Sequence, residues 1–189
     1  MIARWFSRRE APEEAAARAL YIAIVEQARR EPFYRTWGVP DTLDGRFELI
    51  VLHVFLVLRR LKQEPERAGG LGQGLFDVLF RDMDASLREM GVGDLSVGKK
   101  VKAMAEAFYG RVSSYETALE ASGEAPPPSA LERALERNLL GTVEASSAQL
   151  AALAGYVSGT VQRLEAQPLD EIAGGSILFP DLPDFEDSL

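Results

Sequence analysis

Apolar residues recur along this chain at spacings of three and four, and no stretch alternates apolar with polar as a half-buried strand would. Pro32, Pro40, Pro65, the Gly69–Gly74 cluster, Pro126–Pro128 and Pro168 break the pattern into segments. The first segment predicts a helix over Pro12–Arg30, with Leu20, Ile24 and Ala28 on one side. A short connector carrying Phe33, Tyr34, Trp37 and Pro40 follows. A second helix is predicted over Asp44–Lys62. Its stretch Phe47-Glu-Leu-Ile-Val-Leu-His-Val-Phe-Leu-Val-Leu58 is apolar on nearly every side, as a helix surrounded by others must be. That run, interrupted by Glu48 and His53, falls short of the ~20 apolar residues a membrane span needs. It is core.

A third helix is predicted over Leu75–Met90, amphipathic, with Phe76, Leu79, Phe80, Met83, Leu87 and Met90 on one face. Gly91 is placed to end it in a left-handed cap, and Asp94 to begin the next. The fourth, over Leu95–Ala121, turns Val97, Val101, Met104, Ala105, Phe108 and Val112 inward. The two make an antiparallel hairpin across Gly-Val-Gly-Asp. After a loop at Gly123–Pro128, the pairs Ser129/Glu132 and Ser146/Gln149 are capping boxes opening two further helices, ending near Leu140 and Leu164. Residues after Pro168 are expected to be extended. The expectation is an all-α, single-domain bundle of about six helices around the apolar second one. It divides into a basic N-terminal segment (1–10), a helical domain (11–168) and an acidic tail (169–189).

Charge sharpens that division. The net charge of -8 comes largely from the end of the chain. Glu165, Asp170, Glu171, Asp181, Asp184, Glu186 and Asp187 have no Lys or Arg among them, which leaves 22 acids against 21 bases elsewhere. The body is nearly neutral, so a broadly basic face for nucleic acid is not expected. Mutual repulsion and Pro180 and Pro183 predict a mobile or loosely docked tail after Asp181, with Ile177, Leu178 and Phe179 pinning what precedes it. With no cysteine, disulfides, zinc ribbons and thiol nucleophiles are excluded. The N-terminus groups Ile2, Trp5 and Phe6 with Arg4, Arg8 and Arg9: a weak foot on an anionic inner-membrane surface, or a staple on the domain. No secretory or transit signal is read there, and cytoplasmic residence is expected.

Little on the chain promises catalysis. His53 is the only histidine and no metal-spaced carboxylates surround it. It shares a polar seam with Arg60 and reads as a hydrogen-bonded structural residue; as one haem ligand it would lack a second. Gly69-Gly-Leu-Gly-Gln-Gly74 follows no strand, and Gly93-Asp-Leu-Ser-Val-Gly-Lys-Lys100 lacks phosphate-loop spacing, so both read as turns. No cofactor and no metal is expected. The charged hairpin carries more information. Asp77/Arg81 and Asp84/Arg88 are spaced to pair. Asp82 and Glu89 are left over on a stripe with Val78 and Ala85, while Lys99 and Lys102 point away from the core, with Lys100 and Arg111 at the margins. These six are a solvated face or a docking surface for a protein or ribosomal partner.

Three segments, Trp37–Phe47, Phe80–Asp94 and Val97–Arg111, resemble the ubiquinol–cytochrome c chaperone family in the right order, within a likeness running from about Leu20 to Leu164. The resemblance implies a non-enzymatic factor for assembling the respiratory cytochrome bc1 complex. In mitochondria the family's members bind newly made cytochrome b, with a small partner protein, near the ribosomal exit tunnel. Without a long presequence this chain resembles a bacterial member. The expected client is therefore cytochrome b or an early bc1 intermediate, the rival being a helical adaptor for soluble proteins.

Overall fold

The computed structural model describes residues 12–121, 129–141 and 143–182, and there is no strand among them. In chain order the helices are α1 (Pro12–Ala28), α2 (Glu31–Arg35), α3 (Leu43–Lys62), α4 (Pro65–Ala68), α5 (Leu71–Glu89) and α6 (Asp94–Glu120). There follow α7 (Ala130–Leu135), continued by a π turn (Glu136–Leu140), then α8 (Ser147–Ala166) and α9 (Leu169–Ala173). The six expected helices are α1, α3, α5, α6, α7 and α8. The short α2, α4 and α9 are additions too brief to display a period. In α2 and α4 a proline in the first turn presets the helical φ.

α3 is the centre because every residue from Leu49 to Val57 is buried. Each fully buried Leu, Val or Phe there contributes about 1.5–3 kcal/mol. Thr42 fixes its start, accepting from the Gly45 N–H at 3.1 Å. α1, α5, α6 and α8 pack around it. Its polar seam faces α8: the Arg60 Nε–H donates to the Leu164 carbonyl at 2.9 Å, and Arg59 pairs with Glu165 at 2.9 Å.

The glycine cluster is not simply a turn. α5 begins at Leu71, and Gly74 lies inside it. A Cβ on Gly74 would come within 3.1 Å of the Ala17 Cβ, so two small residues let α1 and α5 approach closely. The Gly93–Lys100 segment is also mostly helix, since Gly93 caps α6 and Gly98 lies within it. The long helix carries that glycine at a cost of about 1 kcal/mol. Gly91 does end the third predicted helix, at φ +83°. Both capping boxes form.

After Pro168 a short unexpected helix, α9, precedes the expected extended stretch, which Ile177 and Phe179 pack against the core. α9 buries Leu169 and Ile172, and residues 174–182 then cross α1 as a strap. Gln167 holds the strap, accepting from the Leu178 N–H at 3.1 Å and donating to the Ser176 carbonyl at 3.2 Å. Gly175, at φ +90°, sits so close to Ala16 and Ala19 that a Cβ would meet them at 3.0–3.2 Å. Leu182 is buried. The packed body therefore continues well past residue 168. The predicted N-terminal foot and the last acids (184, 186 and 187) lie outside the described residues.

Candidate docking surface

α5 and α6 form the predicted antiparallel hairpin, and its inner face is built by i, i+4 spacing. Leu71, Leu75, Leu79, Met83 and Leu87 of α5 face the core, as do Val97, Phe108, Tyr115 and Ala118 of α6. Val101, Met104, Ala105 and Val112 are only half-buried, because the first half of α6 stands at the edge of the bundle. Met90, expected on the apolar face, is 51% exposed where α5 ends. Leu95 is 95% exposed in the first turn of α6. Further down, Phe76 and Phe80 stack at 4.5 Å between centroids and meet Phe108 edge-on. Tyr109, 60% exposed, closes this aromatic group at 5.8 Å from Phe76.

The six charged residues singled out in the sequence do not form one patch. Asp82 is not left over: the Tyr21 hydroxyl of α1 donates to its Oδ2 at 2.8 Å. Burial and that carboxylate together push the Tyr21 phenol well above its ordinary pKa. Arg111 is also committed, forming a bidentate pair with Glu48 of α3 at 2.6–3.1 Å. Lys102 approaches Glu106 at 3.8 Å, both exposed. Among the described residues Glu89, Lys99 and Lys100 have no salt-bridge partner. Asp84 does pair with Arg88 at 2.5 Å, and Arg88 also reaches Asp94. Asp77 instead accepts from Gln73 at 2.6 Å, while Arg81 turns toward Glu14 at 3.6 Å. Sequence spacing could not locate these partners, because Tyr21 and Glu48 lie on other helices.

What remains exposed is an apolar tip (Met90, Leu95), two unpaired lysines and a half-exposed aromatic group on one hairpin. Such a surface can bind another protein; it holds no group arranged for proton transfer or nucleophilic attack. Elsewhere His53 is fully buried. Its Nδ1–H donates to the Leu49 carbonyl at 2.7 Å, so Nε2 accepts from the Tyr156 hydroxyl at 2.7 Å. Gln27 donates to that hydroxyl at 3.0 Å, and Phe33 and Phe179 enclose the ring. Burial lowers the His53 pKa to about 4. Both nitrogens are engaged, so the ring presents no lone pair to a haem iron. Among the described residues no His, Cys, Asp or Glu cluster could hold a metal, and no helix is long and apolar enough to cross a membrane.

A family model described as ubiquinol-cytochrome C chaperone matches residues 35–179, which include α3, both arms of the hairpin and α8. The chain belongs to that family. Curated relatives agree. A Xenopus laevis protein named ubiquinol-cytochrome-c reductase complex assembly factor 1 is 27% identical over 186 residues, covering 91% of this chain and 90% of its own. The Homo sapiens protein of that name is 26% identical over 91% of this chain and 60% of its own length. Among solved structures, the crystal structure of the Cbp3 homolog from Brucella abortus superposes with a TM-score of 0.79 at 38% identity, covering 96% of this chain and 97% of that one. The chaperone family's relatives are thus named for assembling a complex and not for a reaction.

Proposed function

We propose that this chain is a non-enzymatic assembly chaperone that holds cytochrome b, or an early intermediate containing it, during biogenesis of the cytochrome bc1 complex. The observation carrying this reading is the family match over residues 35–179, supported by relatives named as assembly factors of that complex. The exposed tip and aromatic group of the α5–α6 hairpin suit the client's chemistry. A membrane protein awaiting assembly presents apolar helix surface joined by charged loops, which Leu95, Met90, Phe76, Phe80 and Tyr109 beside Lys99, Lys100 and Lys102 complement. Its place of work is the cytoplasmic face of the membrane that receives the client, with a ribosome or a small partner protein as a further contact.

Two experiments test this. Deleting the gene should lower assembled cytochrome b while its transcript stays normal, since a chaperone acts after synthesis. Unchanged bc1 levels in cells that need the complex would favour a general adaptor instead. On the protein, Lys99→Glu with Lys102→Glu, and separately Leu95→Asp, should weaken capture of cytochrome b several-fold with the melting temperature held within a degree or two. Full capture by both variants removes the hairpin from the binding surface. Asp82→Lys is a different case, because it breaks the Tyr21 hydrogen bond and lowers stability first.

A further inference from the structure

From residue 177 onward the strap is held by side chains: among the described residues no hydrogen bond between main-chain groups reaches 177–182. One buried amide reads its main chain instead. Gln167 Oε1 accepts from the Leu178 N–H at 3.1 Å, and Gln167 Nε2 donates to the Ser176 carbonyl at 3.2 Å. Gln27, also buried, aims its Nε2 at the Pro180 carbonyl, 3.5 Å away. Phe179 meets the His53 ring edge-on at 5.3 Å between centroids. Ile177 and Phe179 pack against the core, while Leu178 between them is 48% exposed. Amides that read main chain, an aromatic seat and side chains alternating inward and outward are what an extended peptide needs from its receptor.

The floor beneath the strap is formed without it. His53 bonds to the Leu49 carbonyl and the Tyr156 hydroxyl, and Gln27 donates to that hydroxyl at 3.0 Å. Phe33 and Trp37 flank the Tyr156 ring at 5.1 and 5.6 Å. None of these contacts involves residues 174–182. Gln167 is different: with the strap lifted it keeps Glu171, at 3.1 Å, but loses both main-chain partners. A buried amide left so is costly, and a second extended main chain would satisfy it.

We propose that the strap is the resident occupant of a peptide groove formed by α1, α3 and the end of α8, and that an extended segment of another protein exchanges with it. The strap itself specifies the occupant: an apolar residue, an outward one, an aromatic one and proline, in that order. A carbonyl and an N–H two residues apart must face Gln167, which a helical segment cannot offer. The tether gives the strap an effective concentration on the order of millimolar, so poorly matched apolar segments are excluded. No residue of the hairpin takes part, and the groove stands or falls independently of the client assignment.

The probe is a fluorescein-labelled peptide Gly-Ser-Ile-Leu-Phe-Pro-Asp-Leu, the order of residues 175–182. It is titrated into the full-length protein and into full-length Phe179→Ala, which empties the seat and leaves Gln27, His53, Tyr156 and Gln167 unaltered. Anisotropy should report binding at least ten-fold tighter to Phe179→Ala. Alanine in place of the peptide's phenylalanine, or N-methylation of the leucine after its isoleucine, should each weaken binding ten-fold or more. In the unaltered protein, millimolar unlabelled peptide should speed hydrogen exchange at the Leu178 amide several-fold with the α3 amides unchanged. That measurement decides the matter if Phe179→Ala fails to fold. Equal binding to both proteins, binding indifferent to either peptide change, or no exchange response would each overturn the proposal. So would a dimer of the unaltered protein that the peptide dissociates, since the groove would then serve a second copy of this chain.

Discussion

Protonating His53 would cost it the Tyr156 hydrogen bond and place a charge between Phe33 and Phe179. Burial lowers its pKa from the ordinary 6.5 to about 4, outweighing the Leu49 hydrogen bond, which favours the charged ring. The unfolded chain therefore takes up a proton that the folded chain refuses. The resulting stability is complete above pH 6.5 and is lost as pH falls toward 4, by about 3 kcal/mol at 1.36 kcal/mol per unit. Thermal unfolding followed from pH 7 to 4.5 should show this slope, and His53→Gln should flatten it while lowering the melt at pH 7. An unchanged slope in the variant would remove His53 as its cause. Phe55, 1% exposed, is a simpler case: Phe55→Ala should cost about 3–5 kcal/mol in denaturant unfolding. The structural role of His53 beside Arg60 was legible because both sit seven apart on one seam. The roles of Asp82 and Arg111 were not, since their partners lie 61 and 63 residues away.

Among the elements, the two capping boxes are local devices that sequence displays in full. Ser129→Ala and Ser146→Ala should each cost about 1 kcal/mol, measured by urea unfolding. The long helices were legible for a related reason, since a buried face imposes its period on many residues. The strap imposes none. Its Ile177-Leu-Phe179 run is extended, and what fixes it is the side chain of Gln167 and the shape of α1. Gln167→Ala should accelerate hydrogen exchange at the Leu178 amide while leaving the α3 amides unchanged, because a missing acceptor frees the strap before it loosens the bundle. Equal protection in the variant would show the apolar contacts of Phe179 and Leu182 to be sufficient. In the π turn the Gly141 N–H reaches back to the Glu136 carbonyl at 3.0 Å, and Leu139 and Leu140 are both buried. A three-four pattern gives no warning of that widened turn.

For the whole molecule, the chain's first described helix and its last described segment touch one another. Gly175 rests on Ala16 and Ala19, and Pro180 lies over Gln27. α3 can gather α1, α5 and α6 while much of the chain is still being made. The face of α1 that receives the strap stays open until residues 169–182 leave the ribosome. This contact closes nearly the longest loop among the described residues, so it forms late and at high entropic cost. A ribosome-bound chain halted before Gln167 should therefore be cut by protease in α1 far faster than the released protein. Until the strap has been made, α1 is the exposed side of the nascent chain, the kind of surface that a chaperone family covers in others.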